Sequence, residues 1–173
     1  EPILFIEKQS DHSDGIIGYT VFENRVVEFD YDRMVMVVHD SLPAHAAGFT
    51  QTPMPYAGTL TAVEVVMSGT VNTWRGPFVL DTAANGTMLV NQAFAAANRL
   101  HGSLPKVGSA VSRGVGYGSI KSNVLMLPSL SIAGYSLTTV PINVELPSDE
   151  NKAPPGGVLC MEVLSRFNTI LDY

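Results

Sequence analysis

Asp81 is the residue on which chemistry in this sequence would turn. It ends an apolar run, Phe78-Val79-Leu80, and is followed by Thr82, Ala83 and Ala84, a hydroxyl and two small residues. A carboxylate at the end of such a strand is costly in a dry core, so the strand must either supply a partner or deliver the group to a cleft. The cleft is favoured, and the chemistry open to the residue there is that of a carboxylic acid or base. Asn85-Gly86, just behind, is a turn dipeptide because both residues tolerate positive φ. No other pattern competes. His12, His39, His45 and His101 have neither metal-ligand spacing nor a paired cysteine and read as surface or structural residues. Gly-x-Ser-x-Gly is absent. Gly114-Val-Gly-Tyr-Gly lacks the Lys-Ser or Lys-Thr that follows a phosphate loop. Neither a metal nor a cofactor is expected.

Leu80, Asp81, Thr82 and Ala84 resemble the active-site loop of the retropepsin-like aspartic peptidases, the bilobal pepsin and retropepsin type of acid protease. There, apolar residues precede Asp-Thr-Gly or Asp-Ser-Gly, then Ala or Ser. The resemblance implies that Asp81 is one half of a catalytic dyad, with Thr82, Ala83 and Ala84 forming the active-site loop and Thr82 locking two such loops together. It also implies that Gly116, Tyr117 and Gly118, in the glycine-rich stretch after Asp81, belong to a flap that closes over a peptide or protein substrate. Two carboxylates at about 3 Å cannot both ionise, so they share one proton, and the water between them attacks the amide. One aspartate cannot do this alone. Ala83 stands where the family has glycine, and its methyl is expected to crowd a partner loop.

The elements that must position Asp81 are mostly strands. A strand is expected from Pro2 to Glu7 and a polar loop from Lys8 to Asp14. A helical turn near Tyr19 to Asn24 and a hairpin, Arg25 to Tyr31 with Met34 to His39, should follow. The next segment carries prolines with Ala, Gly and Thr and no sustained period, and reads as a linker. A strand from Thr59 to Met67 then returns through Val71 to Trp74 and leads into Asp81. Gln92 to Leu100 is a helix, capped by Asn91 and stopped at Gly102. Val107 to Ile120 is a hairpin with the glycine-rich tip, and Val124 to Leu127, Leu130 to Ile132 and Leu137 to Leu146 are strands. The fold expected is all-β: a closed or partly open barrel-like lobe with one or two short helices, plus the C-terminal portion of a preceding similar lobe.

That last expectation rests on an internal repeat. Residues 157–173 align without a gap on residues 15–31 at a constant offset of 142, with Gly, Val, Asp and Tyr identical and most other apolar positions kept apolar. The family closes each lobe with a glycine, apolar residues, a short helix and a last strand, which both repeats resemble. The division expected is therefore 1–42 as the tail of a first lobe, 43–56 as linker and 57–173 as a complete second lobe. The counterpart of Asp81 would lie roughly sixty residues ahead of Glu1, or on a second copy across a two-fold axis in a homodimer. Cys160 aligns with Gly18 and reads as a small buried apolar residue.

Composition bounds the rest. The chain has 173 residues, 46% of them hydrophobic and 15% charged, enough for one full core. A net charge of −6 without a basic stripe argues against nucleic acid as a partner. No apolar run reaches the roughly 18 residues of a membrane span. With Cys160 as the only cysteine, no intrachain disulfide forms. The start at Glu1 reads as a processed or trimmed end; the compartment stays open, with export to the periplasm or cell envelope compatible. Two functions of different class follow: an aspartic endopeptidase, and an inactive descendant that binds peptides or mediates assembly through the same groove.

Overall fold

The computed structural model describes residues 17–57, 60–114, 118–147 and 156–173. The expected strand Pro2 to Glu7 and loop Lys8 to Asp14 lie outside them. An N-terminal arm comes first. Its 3-10 turn Tyr19–Phe22 leads into a hairpin of β1 (Val26–Asp30) and β2 (Val35–His39), in register from Val26 opposite His39 to Asp30 opposite Val35. The turn is made by Asp30, whose carboxylate accepts the Arg33 amide at 3.0 Å, and by Met34 at a φ of 58°. The segment read as a linker is packed against its neighbours. It forms a 3-10 turn, Ala44–Gly48, with Ala46 buried, and ends in β3 (Tyr56–Ala57). Short 3-10 turns have no sustained apolar period, so composition did not reveal this one.

The barrel follows. β4 (Leu60–Ser68) and β5 (Thr73–Leu80) form a hairpin closed by the Gly69 amide on the Asn72 carbonyl at 2.8 Å. Pro77 is tolerated inside β5 because the next strand on that side begins its pairing only at Phe78. After β6 (Met88–Val90) come two short helices, α1 (Gln92–Ala97) and α2 (Leu100–Ser103). Asn91 caps α1, its side chain accepting the Phe94 amide at 2.7 Å. The single helix expected from Gln92 to Leu100 is broken at Arg99, which takes a left-handed φ of 53°, and Gly102 sits inside α2 rather than ending a helix.

β7 (Lys106–Gly114), β8 (Gly118–Ile132) and β9 (Tyr135–Glu145) then run antiparallel. The two short strands expected at Val124 to Leu127 and Leu130 to Ile132 are parts of the single strand β8. Pro128 does not end it, because the register with β9 holds on either side, Leu127 opposite Val140 and Ser129 opposite Thr138. Thr139, facing the proline, absorbs the irregularity with a φ of 56°. Beyond this point β8 also pairs with β4, Ser129 to Ile132 against Ser68 to Val65.

β10 (Gly157–Leu159), α3 (Met161–Leu164) and β11 (Thr169–Asp172) finish the chain. β10 inserts between β5, to which it is parallel, and β6, to which it is antiparallel. The order β4-β5-β10-β6-β9-β8, returning to β4, is a closed barrel of six strands with β3 and β7 as appendages. The fold is all-β with short helices, as expected. Its core holds Val65, Met67, Phe78, Met88, Val90, Leu125, Leu127, Leu130, Ile142 and Leu159, with Leu100 beneath α2. Each large apolar side chain buried this fully contributes about 1.5–3 kcal/mol by leaving water.

β11 leaves the barrel and joins the arm in a second sheet of order β11-β1-β2, antiparallel throughout. The offset of 142 reappears here in three dimensions. It carries the turn Tyr19–Phe22 onto α3 and β1 onto β11. Glu28 lies opposite Ile170, the residue to which the offset maps it, and the pairs Val27 with Leu171 and Phe29 with Thr169 exchange under the same operation. Side chains follow: Tyr31 donates its hydroxyl to the Met161 sulfur at 3.7 Å, and the related pair, Tyr173 and Tyr19, stacks at 6.2 Å. Residues 17–31 and 159–173 are thus paired about a local two-fold axis between Glu28 and Ile170.

Two measurements probe this framework. A Cβ at Gly157, whose φ is 143°, would meet the Leu89 carbonyl oxygen at 2.0 Å, whereas one at Gly102 would meet nothing within 4 Å. Gly157→Ala is expected to destabilise by about 3 kcal/mol or more, and Gly102→Ala to leave stability within about 1 kcal/mol, both read from urea unfolding. The second concerns Glu28, whose carboxylate accepts from His39 Nε2 at 2.8 Å and from His45 Nε2 at 3.0 Å, tying β1 to β2 and to the turn Ala44–Gly48. The His39 bond is the largest cause holding its carboxyl below the ordinary value; desolvation opposes, and the His45 bond adds. A carboxyl lowered by folding stabilises above its unfolded value and loses that contribution as pH falls through its folded value. The stability gap between the native protein and Glu28→Gln should therefore be wide at pH 6 and narrow toward pH 3.

Candidate active site

Asp81 follows the last residue of β5, and its loop is seated on the strand and helix that close the barrel. The Asp81 amide donates to the Leu159 carbonyl at 3.0 Å, extending the parallel β5–β10 pairing by one bond. From there to Thr87 the loop lies over the start of α3. The amides of Cys160, Met161 and Glu162 donate to the carbonyls of Thr87, Ala84 and Gly86 at 3.0, 2.9 and 2.9 Å. First-turn helix amides need partners from outside the helix, and this loop supplies them. Gly86 takes a φ of 95°, as the Asn85-Gly86 pair predicts. Thr87 closes the loop by donating its hydroxyl to the Pro141 carbonyl.

Within the loop the carboxylate is oriented by its own backbone. Oδ1 of Asp81 accepts the Ala83 amide at 2.9 Å, and the Ala84 amide lies 3.3 Å from the Asp81 carbonyl. This is an Asx turn. It fixes one carboxylate oxygen against the chain, on a half-buried residue flanked by exposed Thr82 and Ala83. The conformation at Ala83 is an ordinary one for an L residue, since its φ is not positive. Its methyl is therefore accommodated by this chain, and any crowding would fall on what packs against the loop from outside. Thr82 sits on that outward side.

Beneath the loop lies Cys160, buried, with its thiol pushed up to about 11, first by burial and next by the Asp81 charge. It behaves as the small apolar residue the sequence suggested. Of the residues expected to form a flap, Gly116 and Tyr117 lie outside the described residues; Gly118 opens β8, paired with Gly114 across the hairpin. Among the described residues no group of three or more His, Cys, Asp or Glu side chains is arranged to hold a metal ion, and no helix is long and apolar enough to cross a membrane.

Sequence reasoning missed a largely apolar cavity of about 760 Å³ between the barrel and the segment 42–54. Phe49 and Met54 face Val63, Leu80, Ile132 and Phe167 across it. Asp81 does not line it, but Leu80, the residue before, does. Its far wall is the stretch read as a linker, tied to the barrel by the Thr50 and Tyr135 hydroxyls at 3.0 Å. The Glu28 cluster was missed for a different reason. His39 lies opposite Val26, two positions from Glu28 on the paired strand, and such diagonal neighbours touch.

A thiol at about 11 rather than 9.0 has about a hundredfold less thiolate at pH 8. Cys160 in the native protein is therefore expected to react with a maleimide at least that much more slowly than in urea. Asp81→Asn removes the second cause, so the pH at which native labelling sets in should fall, by less than unfolding lowers it.

No protein-family model matches the chain, and no curated protein does. Among solved structures, a retropepsin-like aspartic protease from Rickettsia conorii is similar to it, covering 62% of this chain and 79% of that one at 19% identity and a TM-score of 0.41.

Proposed function

We propose that the chain is a retropepsin-like aspartic endopeptidase or a part of one, with Asp81 as one of two catalytic carboxylates and the other supplied from outside these 173 residues. The observation that carries this reading is the position of Asp81: at the end of a barrel strand, one oxygen held by the Ala83 amide, on a loop seated on the helix whose partner strand enters the two-fold sheet. The axis between Glu28 and Ile170 would carry β5 and its aspartate to an equivalent place beside Ile17. A second carboxylate there would supply the other member of the pair. One of the pair, ionised, takes a proton from the water between them, while the other, protonated, polarises the scissile carbonyl. The substrate is an extended peptide, held by strand-like backbone pairing under the β7–β8 hairpin.

Ala83 favours a second reading. An exposed methyl on the outward side of the loop, where the family has glycine, would meet the partner loop. A module that keeps the groove and binds peptides without cleaving them has that change as its mark.

The test is cleavage of an unfolded protein between pH 3 and 7, by this chain at a series of concentrations and by any longer product of its gene. Cleavage is expected from whichever form holds both carboxylates. Asp81→Asn should lower its rate by about 10²–10⁴-fold, while Ala83→Gly should leave the rate unchanged or raise it. Absence of cleavage by any folded form, with a labelled peptide still bound, would establish the second reading.

A further inference from the structure

Three apolar side chains at the edge of the barrel core are covered on one side only. Leu80, Ile132 and Phe167 pack against the core yet stay partly buried, because each also lines the cavity beside the segment 42–54. Phe49 and Met54, across from them, are partly buried as well. Apolar groups that face a gap forgo the dispersion contacts of a filled interior. The gap is also too large to be a packing fault, since interiors hold few voids bigger than a water molecule. At about 760 Å³ it falls within the roughly 300–1,000 Å³ of pockets that take small molecules.

We propose that this cavity binds an uncharged, largely apolar small molecule that carries a ring system and one polar group. The lining sets the charge. Among the described residues that form it there is no Lys, Arg or His to receive an anion, and Asp172, its acidic member, would repel one. A cation finds only that same carboxylate, which is exposed to solvent, where pairing adds little. The lining also sets the shape. Tyr135 and Phe167 stand with ring centroids 5.8 Å apart and planes at 53°, with Phe49 across the cavity, and aromatic walls favour a ring between them. The polar group has one place to go: the Thr50 and Tyr135 hydroxyls, 3.0 Å apart, use one hydrogen between them and keep one to donate to a ligand carbonyl or hydroxyl. The site is separate from the candidate catalytic loop, since Asp81 does not line it, and it stands whether or not the chain cleaves peptides. The two are joined at Leu80, which lines the cavity and is followed by Asp81, so an occupant packs against the strand end that delivers the carboxylate.

The test uses two fluorescent probes with one ring skeleton, uncharged N-phenyl-1-naphthylamine and its sulfonated relative 1-anilinonaphthalene-8-sulfonate, each titrated into the 173-residue chain. The uncharged probe is expected to bind once per chain, and the sulfonate at least about tenfold more weakly for want of a counter-charge. Phe49→Ala removes an aromatic wall from a turn outside the barrel. Gly48→Trp fills the cavity instead, at a residue whose φ is not positive and whose Cβ would meet nothing within 4 Å. Each should weaken the uncharged probe by about fivefold or more, with urea unfolding confirming that the variant is folded; the second serves if the first is not. Val37→Lys, on the exposed apolar strand β2, should leave binding as it was. Absence of uncharged-probe binding to the folded chain overturns the proposal, and so does equal affinity for the two probes. Binding that survives both cavity substitutions overturns it too, and if Val37→Lys then abolishes that binding, the probe sits on β2.

Discussion

Everything at the Asp81 end of this molecule depends on three residues, Gly157 to Leu159, lying between two strands made much earlier in the chain. Parallel to β5 and antiparallel to β6, they turn an open sheet into a closed barrel. The insertion is possible because the Gly156-Gly157 pair brings the backbone against the Pro77 and Leu89 carbonyls, where a Cβ would collide. Closure removes two sheet edges at once. It also sets the Leu159 carbonyl where it receives the Asp81 amide, and starts α3 where its first amides meet the loop 81–87. The carboxylate is held in place because the barrel is closed.

The same segment continues into β11 and out of the barrel, so closing the barrel and building the two-fold sheet are successive parts of one stretch of chain. This couples the arm to the site, and the Tyr31 hydroxyl on the Met161 sulfur adds a contact to the helix on which the loop is seated. The arm is secured on its other side by Glu28, with a histidine on each carboxylate oxygen, and the segment 42–54 is secured by its packing over the barrel.

Much of this was legible in the sequence where the signal was local or repeated. The β1–β2 hairpin followed from two runs of β-branched and apolar residues either side of a short turn, the α1 cap from Asn91, and the glycine turn from Asn85-Gly86. The match of residues 157–173 to 15–31 foretold two similar elements. It could not foretell that β1 and β11 would pair with each other, since a repeat fixes likeness and not contact. The insertion of β10 was illegible for a physical reason: three residues show no periodicity, and their partners are chosen by tertiary fit. The break at Arg99 and the continuity of β8 through Pro128 were missed alike, because both depend on one residue accepting an unusual φ. At the site, the strand-end carboxylate was readable, and the bond from the Ala83 amide was not.

The late position of β10 in the chain has a consequence for how the molecule comes into being. During synthesis the β4–β5 hairpin, β6, both helices and the β7–β8–β9 meander all emerge before Gly157 is made. Hairpins form early because their closure entropy is small, whereas a contact between distant segments waits for the whole intervening loop. A nascent chain therefore carries an unclosed barrel, and loop 81–87 has neither its strand partner nor its helix start. The carboxylate is delivered but not yet aimed. Ordering of the loop therefore waits for residues 157–164, which are made after every other strand of the barrel.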